Sequence, residues 1–178
     1  AFTGVTILSG VSLRMTDTLR SIAEAVSEKF ILLYTKDYPL EMGMFALDRI
    51  IAIAEDTGAD MLYADHYKVV AGDDGQNHRK KHPLITCQKG ALRDDFDFGS
   101  VLVFRSSSFK RAVRAMETDY EFGALYDLRL RMKNIVHINE YLYTEIETDS
   151  RKSGEKLFDY VDPRNRAVQI EMEKVCTA

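Results

Sequence analysis

Apolar runs alternate with helical-period segments through the first half of this chain, and this alternation restricts the fold more than any other feature. Phe30-Ile31-Leu32-Leu33-Tyr34 is an unbroken run of strand-forming residues, which fits a strand buried in a parallel sheet. Lys36-Asp37-Tyr38-Pro39 interrupts it. Met44, Leu47, Ile50, Ile51 and Ala54 then share one helical face, and Gly58 can take the left-handed conformation that ends a helix. Met61-Leu62-Tyr63 opens another strand, which reaches to about Val70. Upstream, Val5–Leu8 reads as a short strand. Thr16-Asp17-Thr18 offers caps for a helix over 18–28 that carries Leu19, Ile22, Ala23 and Val26. The expected fold class is α/β, a layered fold with a mainly parallel central sheet flanked by helices.

The second half is more irregular. Residues 71–83 are polar and read as a turn around Gly72 and Gly75. Phe98–Phe104 reads as a strand, and Ser106 or Ser107 can cap a helix carrying Phe109, Val113 and Met116. A second helix carries Phe122, Leu125, Leu128 and Met132. Ile135–Ile138 is a short strand that Tyr141–Ile146 extends or pairs with. Residues 147–160 read as loop. Asp162-Pro163 opens a last helix with Val168, Met172 and Val175 on its apolar face. At 178 residues the chain suits a single domain over 1–178, with the loop and helix of 147–178 appended. Both ends look cut from a longer protein.

Several classes of function are disfavoured. A net charge of -4 argues against broad nucleic-acid binding. Two cysteines, Cys87 and Cys176, give no disulfide framework or zinc spacing. No apolar run is long enough to span a bilayer. The expected location is the cytoplasm, including the inner face of the membrane.

Ligands of open α/β sheets bind beyond the carboxyl ends of the strands. Asp37 and Asp65 stand near such ends, where they could hold a divalent cation or a ribose hydroxyl, or serve only as loop and cap residues. Arg93-Asp94-Asp95-Phe96-Asp97-Phe98-Gly99-Ser100 is the densest polar cluster, read as a cleft-lining loop or as a solvated loop with a local ion pair. Arg151-Lys152-Ser153-Gly154-Glu155-Lys156 suits phosphate oxygens or a solvated linker. His78-Arg79-Lys80-Lys81-His82 reads as a solvated basic run able to touch an anionic acceptor. His66 is a site candidate, His137 a satisfied core histidine, and Cys87 a small buried apolar residue.

Five segments in order resemble the family 2 glycosyltransferases of GT-A fold, over roughly residues 18–146. Phe30–Leu40 looks like that family's strand, acidic DxD turn, proline and helix. Ala59-Asp60-Met61-Leu62-Tyr63-Ala64-Asp65 looks like its A-D-x-x-Y-x-D strand. Asp97–Ser100 with Phe104-Arg105, Tyr126–Arg131 and Ile135–Ile138 are similar to its later strand, its E-D-x-D-L-x-x-R helix and the strand after it. The resemblance implies transfer of a sugar from a nucleotide-sugar donor to a hydroxyl of a glycan or lipid-linked acceptor, in surface polysaccharide synthesis. Oligomers are compatible with it. It implies Lys36, Asp37, Asp65, Arg151 and Lys152 at the donor, with Asp37 and Asp65 as ligands of Mn²⁺ or Mg²⁺. Beside it, the residues themselves offer His66, Arg93 and Asp94 for the acceptor and Asp95 and Asp97 for the catalytic base, and Asp127, also a catalytic candidate, matches an acid of the family pattern that is more structural than basic there.

The sequence departs from the family pattern in three places. One DxD acid is replaced at Tyr34 or Thr35, so Lys36 would supply positive charge and reduce the need for metal. Ala124-Leu125 stand where the family has E-D. The nucleotide-gripping opening strand is not visible. Two alternatives follow: a non-catalytic GT-A-like binding module, or a sugar nucleotidyltransferase.

Overall fold

The computed structural model describes residues 12–72, 75–88, 90, 92–147 and 166–177. The expected strand at Val5–Leu8, the 147–160 loop and the Asp162-Pro163 helix start lie wholly or almost wholly outside them. In chain order the described elements are α1 (Thr16–Ala25), β1 (Phe30–Tyr34), β2 (Leu40–Met42), α2 (Ala46–Thr57), β3 (Met61–Ala71), β4 (Asn77–His82), β5 (Val101–Arg105), α3 (Ser106–Arg114), α4 (Ala124–Leu130), β6 (Ile135–Glu147) and α5 (Arg166–Thr177).

The chain is a mixed α/β fold, and its sheet is mixed rather than mainly parallel. Strand order is β1-β5-β3-β6-β2, with β4 paired to β3. Among the described strands only β3 and β6 are parallel neighbours, and the other pairings are antiparallel. The sequence alternation does report direction, because β1 and β3 both oppose β5 and so run the same way, as does β6. What it hides is the reversed strand β5 inserted between them. β1 is therefore not a buried parallel strand. Among the described residues it pairs with β5 alone and alternates in burial, with Leu32 40% exposed.

Alternation along β3 and β5 sends side chains into two apolar layers. Met61, Tyr63, Leu102 and Phe104 pack on one face with Leu19, Phe109, Leu128 and Val175, from α1, α3, α4 and α5. Leu62, Ala64, Val101 and Val103 pack on the other with Ala46, Ile50 and Ala54 of α2. Those three lie four residues apart, and Met44, Leu47 and Ile51, expected on the buried face, point outward instead. Small alanines let α2 approach the sheet closely, and Ile50 supplies about 2 kcal/mol of burial between them. Gly58 ends α2 with φ 63 as expected. Helix α1 begins two residues before its expected start, at Thr16, whose buried hydroxyl accepts from the Tyr120 amide at 2.9 Å. The two expected strands at 135–146 form one continuous strand, β6.

Asp60 ties three segments together, the turn before β3, α3 and the turn before β6. Its carboxylate accepts from the amides of Lys133 and Asn134 at 3.1 Å each and from the Ser108 hydroxyl. Burial pulls its pKa upward, but those hydrogen bonds and nearby Arg111 outweigh it and hold the pKa below the ordinary value. Arg105 complements it by donating to the carbonyls of Ala59 and Ala54.

Candidate functional site

The strand directions bring one end of the sheet to chemistry. The turn after β1 carries Lys36 and Asp37, and the 92–100 segment enters β5 from the same end because β5 is reversed. Between them is a cleft of about 740 Å³. Arg14, Tyr34, Lys36, Asp37, Asp94, Tyr126 and Arg129 line it, and Val168 and Met172 of α5 wall one side.

Helix α5 is fixed over this cleft by two local contacts. Glu171 accepts from the consecutive amides of Glu121, Phe122 and Gly123 at 2.7–3.1 Å. Val175 packs so close to Gly123 that a Cβ there would lie 2.9 Å from its methyl group. Tyr126 donates to the Leu92 carbonyl at 3.2 Å and lies 3.1 Å from the Cys176 sulfur. Burial and that thiol push its pKa up to about 12, so it is a neutral hydrogen-bonding group at pH 7.

Arg129 is the most informative cation in the cleft. Burial pulls its pKa down to about 10, which leaves it charged at neutral pH. Its Nε donates to the Leu125 carbonyl at 3.2 Å and its guanidinium lies 5.4 Å from the Phe98 ring. Among the described residues it forms no ion pair. Burying a guanidinium costs free energy that nearby negative charge offsets, and Asp94 of the same cleft acts on Arg129 in that sense. Arg14, Lys36 and Arg129 outnumber Asp37 and Asp94, so the cleft suits a multiply charged anion such as a diphosphate.

The other expected donor and catalytic residues divide sharply. Asp65 is 1% exposed and does not line this cleft. Its Oδ1 accepts from the Leu84 amide and pairs with His137 Nε2, each at 2.8 Å, while His137 Nδ1 meets the Thr86 hydroxyl at 3.0 Å. This carboxylate–imidazole–hydroxyl row ties segment 83–88 to the sheet. His137 also stacks on Tyr63 at 4.7 Å, so it is the satisfied core histidine that was expected. Cys87 is only half-buried, with its amide donating to the Tyr63 hydroxyl.

His66, expected at the acceptor, is fully buried. It stacks on Tyr143 and lies 3.3 Å from the buried carboxylate of Glu145, and burial drives its pKa down to about 4. Asp127, expected to be catalytic, is 3% exposed and ion-paired at 2.8 Å with Nε of Arg131, the residue that caps α4. Both side chains face the interior because they stand at inward positions of β3 and α4.

The 93–97 loop disperses its acids. Arg93 and Asp95 form an exposed local ion pair at 3.1 Å. Asp97 pairs with His82 at 2.8 Å and accepts from the Gly99 amide at 2.8 Å. Burial raises the Asp97 pKa, but these bonds and nearby Lys68 bring it below the ordinary value. Asp94 alone of this group lines the cleft. Arg151 and Lys152 lie outside the described residues.

The described residues do not build a metal cage of their own. No group of three or more His, Cys, Asp or Glu among them is arranged to hold an ion, and Asp65 is committed to Leu84 and His137. No helix among them is long and apolar enough to cross a membrane.

No family model matches the chain, and no curated protein sequence matches it. Arg14, Tyr126 and Arg129 went unrecognised as cleft residues in the sequence. The signal available for the last two was spacing: Leu125 and Tyr126 stand four and three residues before Arg129, on one side of a helix, a mixed apolar and cationic face.

Proposed function

We propose that this chain is a GT-A-like glycosyltransferase domain, transferring a sugar from a nucleotide-sugar donor to an acceptor hydroxyl in surface-polysaccharide assembly. One observation carries the reading: the Lys36-Asp37 turn at the carboxyl end of β1 opens on a cleft that also holds Arg14, Arg129 and Asp94. Arg14, Lys36 and Arg129 would bind the donor diphosphate and offset the charge that develops as it leaves. Asp37 would accept hydrogen bonds from donor hydroxyls. Asp94, across the same cleft, would take the proton of the acceptor hydroxyl, the role first assigned to Asp95, Asp97 or Asp127. Any divalent ion would have Asp37 and the diphosphate itself as ligands, and no step above depends on it.

Calorimetry with uridine, guanosine and thymidine diphosphates and their sugars, with and without Mn²⁺, tests this. At least one nucleotide should bind, and Lys36→Ala with Arg129→Ala should weaken it by more than about tenfold, since each charge-assisted contact contributes roughly 1.5–3 kcal/mol. Absence of binding by every nucleotide sinks the reading. A non-catalytic module is the second reading, favoured by Asp65 and Asp127 being bound into the interior. It predicts nucleotide or glycan binding without sugar transfer.

A further inference from the structure

The strand β4 reads Asn77-His78-Arg79-Lys80-Lys81-His82 and is exposed throughout except at His82. In a chain of net charge -4 this is a local reversal of sign. Strand pairing gives it order that a solvated loop would lack: β4 is hydrogen-bonded to β3 in register from His66↔His82 to Ala71↔Asn77.

Two of its cations are held in place on one face. The Arg79 guanidinium lies 3.7 Å over the Tyr67 ring and donates to the Thr144 hydroxyl at 3.3 Å. Lys81 Nζ lies 5.3 Å from the centroid of Tyr141, and the two tyrosine rings are 4.9 Å apart. Arg79 and Lys81 are two residues apart, so they repeat at roughly 7 Å along the strand. Among the described residues neither forms an ion pair. Beside Arg79 is a depression of about 200 Å³, lined by Glu41, Met42, Tyr141 and Thr144.

Glu41 lines this depression with Tyr141, and a carboxylate beside an aromatic ring can accept hydrogen bonds from sugar hydroxyls. Among the described residues of the β3–β4 hairpin itself no large apolar side chain is exposed, whereas Met44 and Phe45, just past the Glu41–Gly43 rim of the depression, are.

We propose that this face binds an acidic polysaccharide, a carbohydrate chain carrying carboxylates along its length. Arg79 grips one carboxylate through its fork, Tyr141 packs against the sugar, Glu41 accepts ring hydroxyls, and Lys81 meets the next carboxylate along the chain. The surface stands independently of the transferase reading. The His82–Asp97 pair joins the hairpin to the loop whose Asp94 lines the cleft, so where both readings hold the bound chain is the acceptor.

The test measures binding of the intact chain to polygalacturonate, with neutral dextran, single-stranded DNA and phosphatidylglycerol vesicles as comparisons. Polygalacturonate should bind most tightly, weakening with salt, and dextran should not bind. Arg79→Gln with Lys81→Gln should cost about tenfold or more while the urea midpoint is held. Glu41→Ala is the sharpest probe. It removes a like charge together with the hydroxyl acceptor, so attraction by charge alone predicts tighter binding, whereas hydroxyl recognition predicts weaker binding. Tighter binding by Glu41→Ala, equal binding of dextran, stronger binding of DNA or vesicles, or an unaffected double variant would each overturn the proposal. Nucleotide calorimetry on the same samples reports the transferase reading separately.

Discussion

Asp65→Ala separates a structural carboxylate from a ligand-binding one. In the folded chain Asp65 is 1% exposed, and a single oxygen accepts from both the Leu84 amide and His137 Nε2 at 2.8 Å. Truncation strands both donors in the interior. Each unsatisfied buried group costs about 1–3 kcal/mol, so the variant should lose about 2–5 kcal/mol. Urea unfolding followed by far-ultraviolet circular dichroism reads this directly: with a slope of roughly 2 kcal/mol per molar, the midpoint should fall by about 1–2.5 M. Asp65→Asn retains a carbonyl oxygen for both donors and should cost only about 1 kcal/mol. Nucleotide affinity of folded Asp65→Ala should stay within about threefold of the parent. A loss below about 1 kcal/mol, or nucleotide binding abolished while the midpoint holds, would refute the structural assignment and return Asp65 to the donor site.

Four further outcomes are expected. Asp94→Asn should abolish sugar transfer while leaving nucleotide affinity within about threefold, measured by product formation beside calorimetry. His66 has its pKa pushed down by burial from 6.5 to about 4, so its contribution to stability is complete above 6.5 and is lost as pH falls toward 4. His66→Phe should flatten that part of the urea-midpoint profile by on the order of 2 kcal/mol. Gly99→Ala should lower the melting temperature, with a cost of about 2–3 kcal/mol, because Gly99 has φ 69 and a Cβ would collide with the Tyr143 hydroxyl. Glu171→Ala should cost about 1–2 kcal/mol by leaving three amides before α4 unpaired, and protease digestion should then cut around α5 first.

Elements with strong apolar period were legible from the residues alone, and so was the rough placement of the Lys36-Asp37 turn. β4 was not, because Asn77–His82 has no apolar alternation and its exposed side chains give no burial signal; only backbone pairing with β3 makes it a strand. The parallel sheet was expected from connectivity, but β5 reaches its place between β1 and β3 by tertiary pairing that no local pattern encodes. For α2 the face was expected to include Ile50 and Ala54, as it does, but the larger Leu47 and Ile51 outweighed Ala46 in the pattern, although close approach to the sheet favours the small residue. Among the acids, residue type could not tell which carboxylate faces the cleft. Asp94 does, while neighbouring Asp95 and Asp97 are taken up by Arg93 and His82.

The reversed β5 also bears on the chain during synthesis. Among the described residues Phe30–Tyr34 pairs only with residues 101–105, so this uncharged, strand-forming segment leaves the ribosome about 70 residues ahead of that partner strand. Until then it offers open backbone and apolar side chains to other nascent chains, the combination from which intermolecular sheets grow. Chains stopped before β5 should therefore aggregate through Phe30–Tyr34, and a charge at the outward-facing Leu32 should relieve this in the nascent state with little cost to the finished fold.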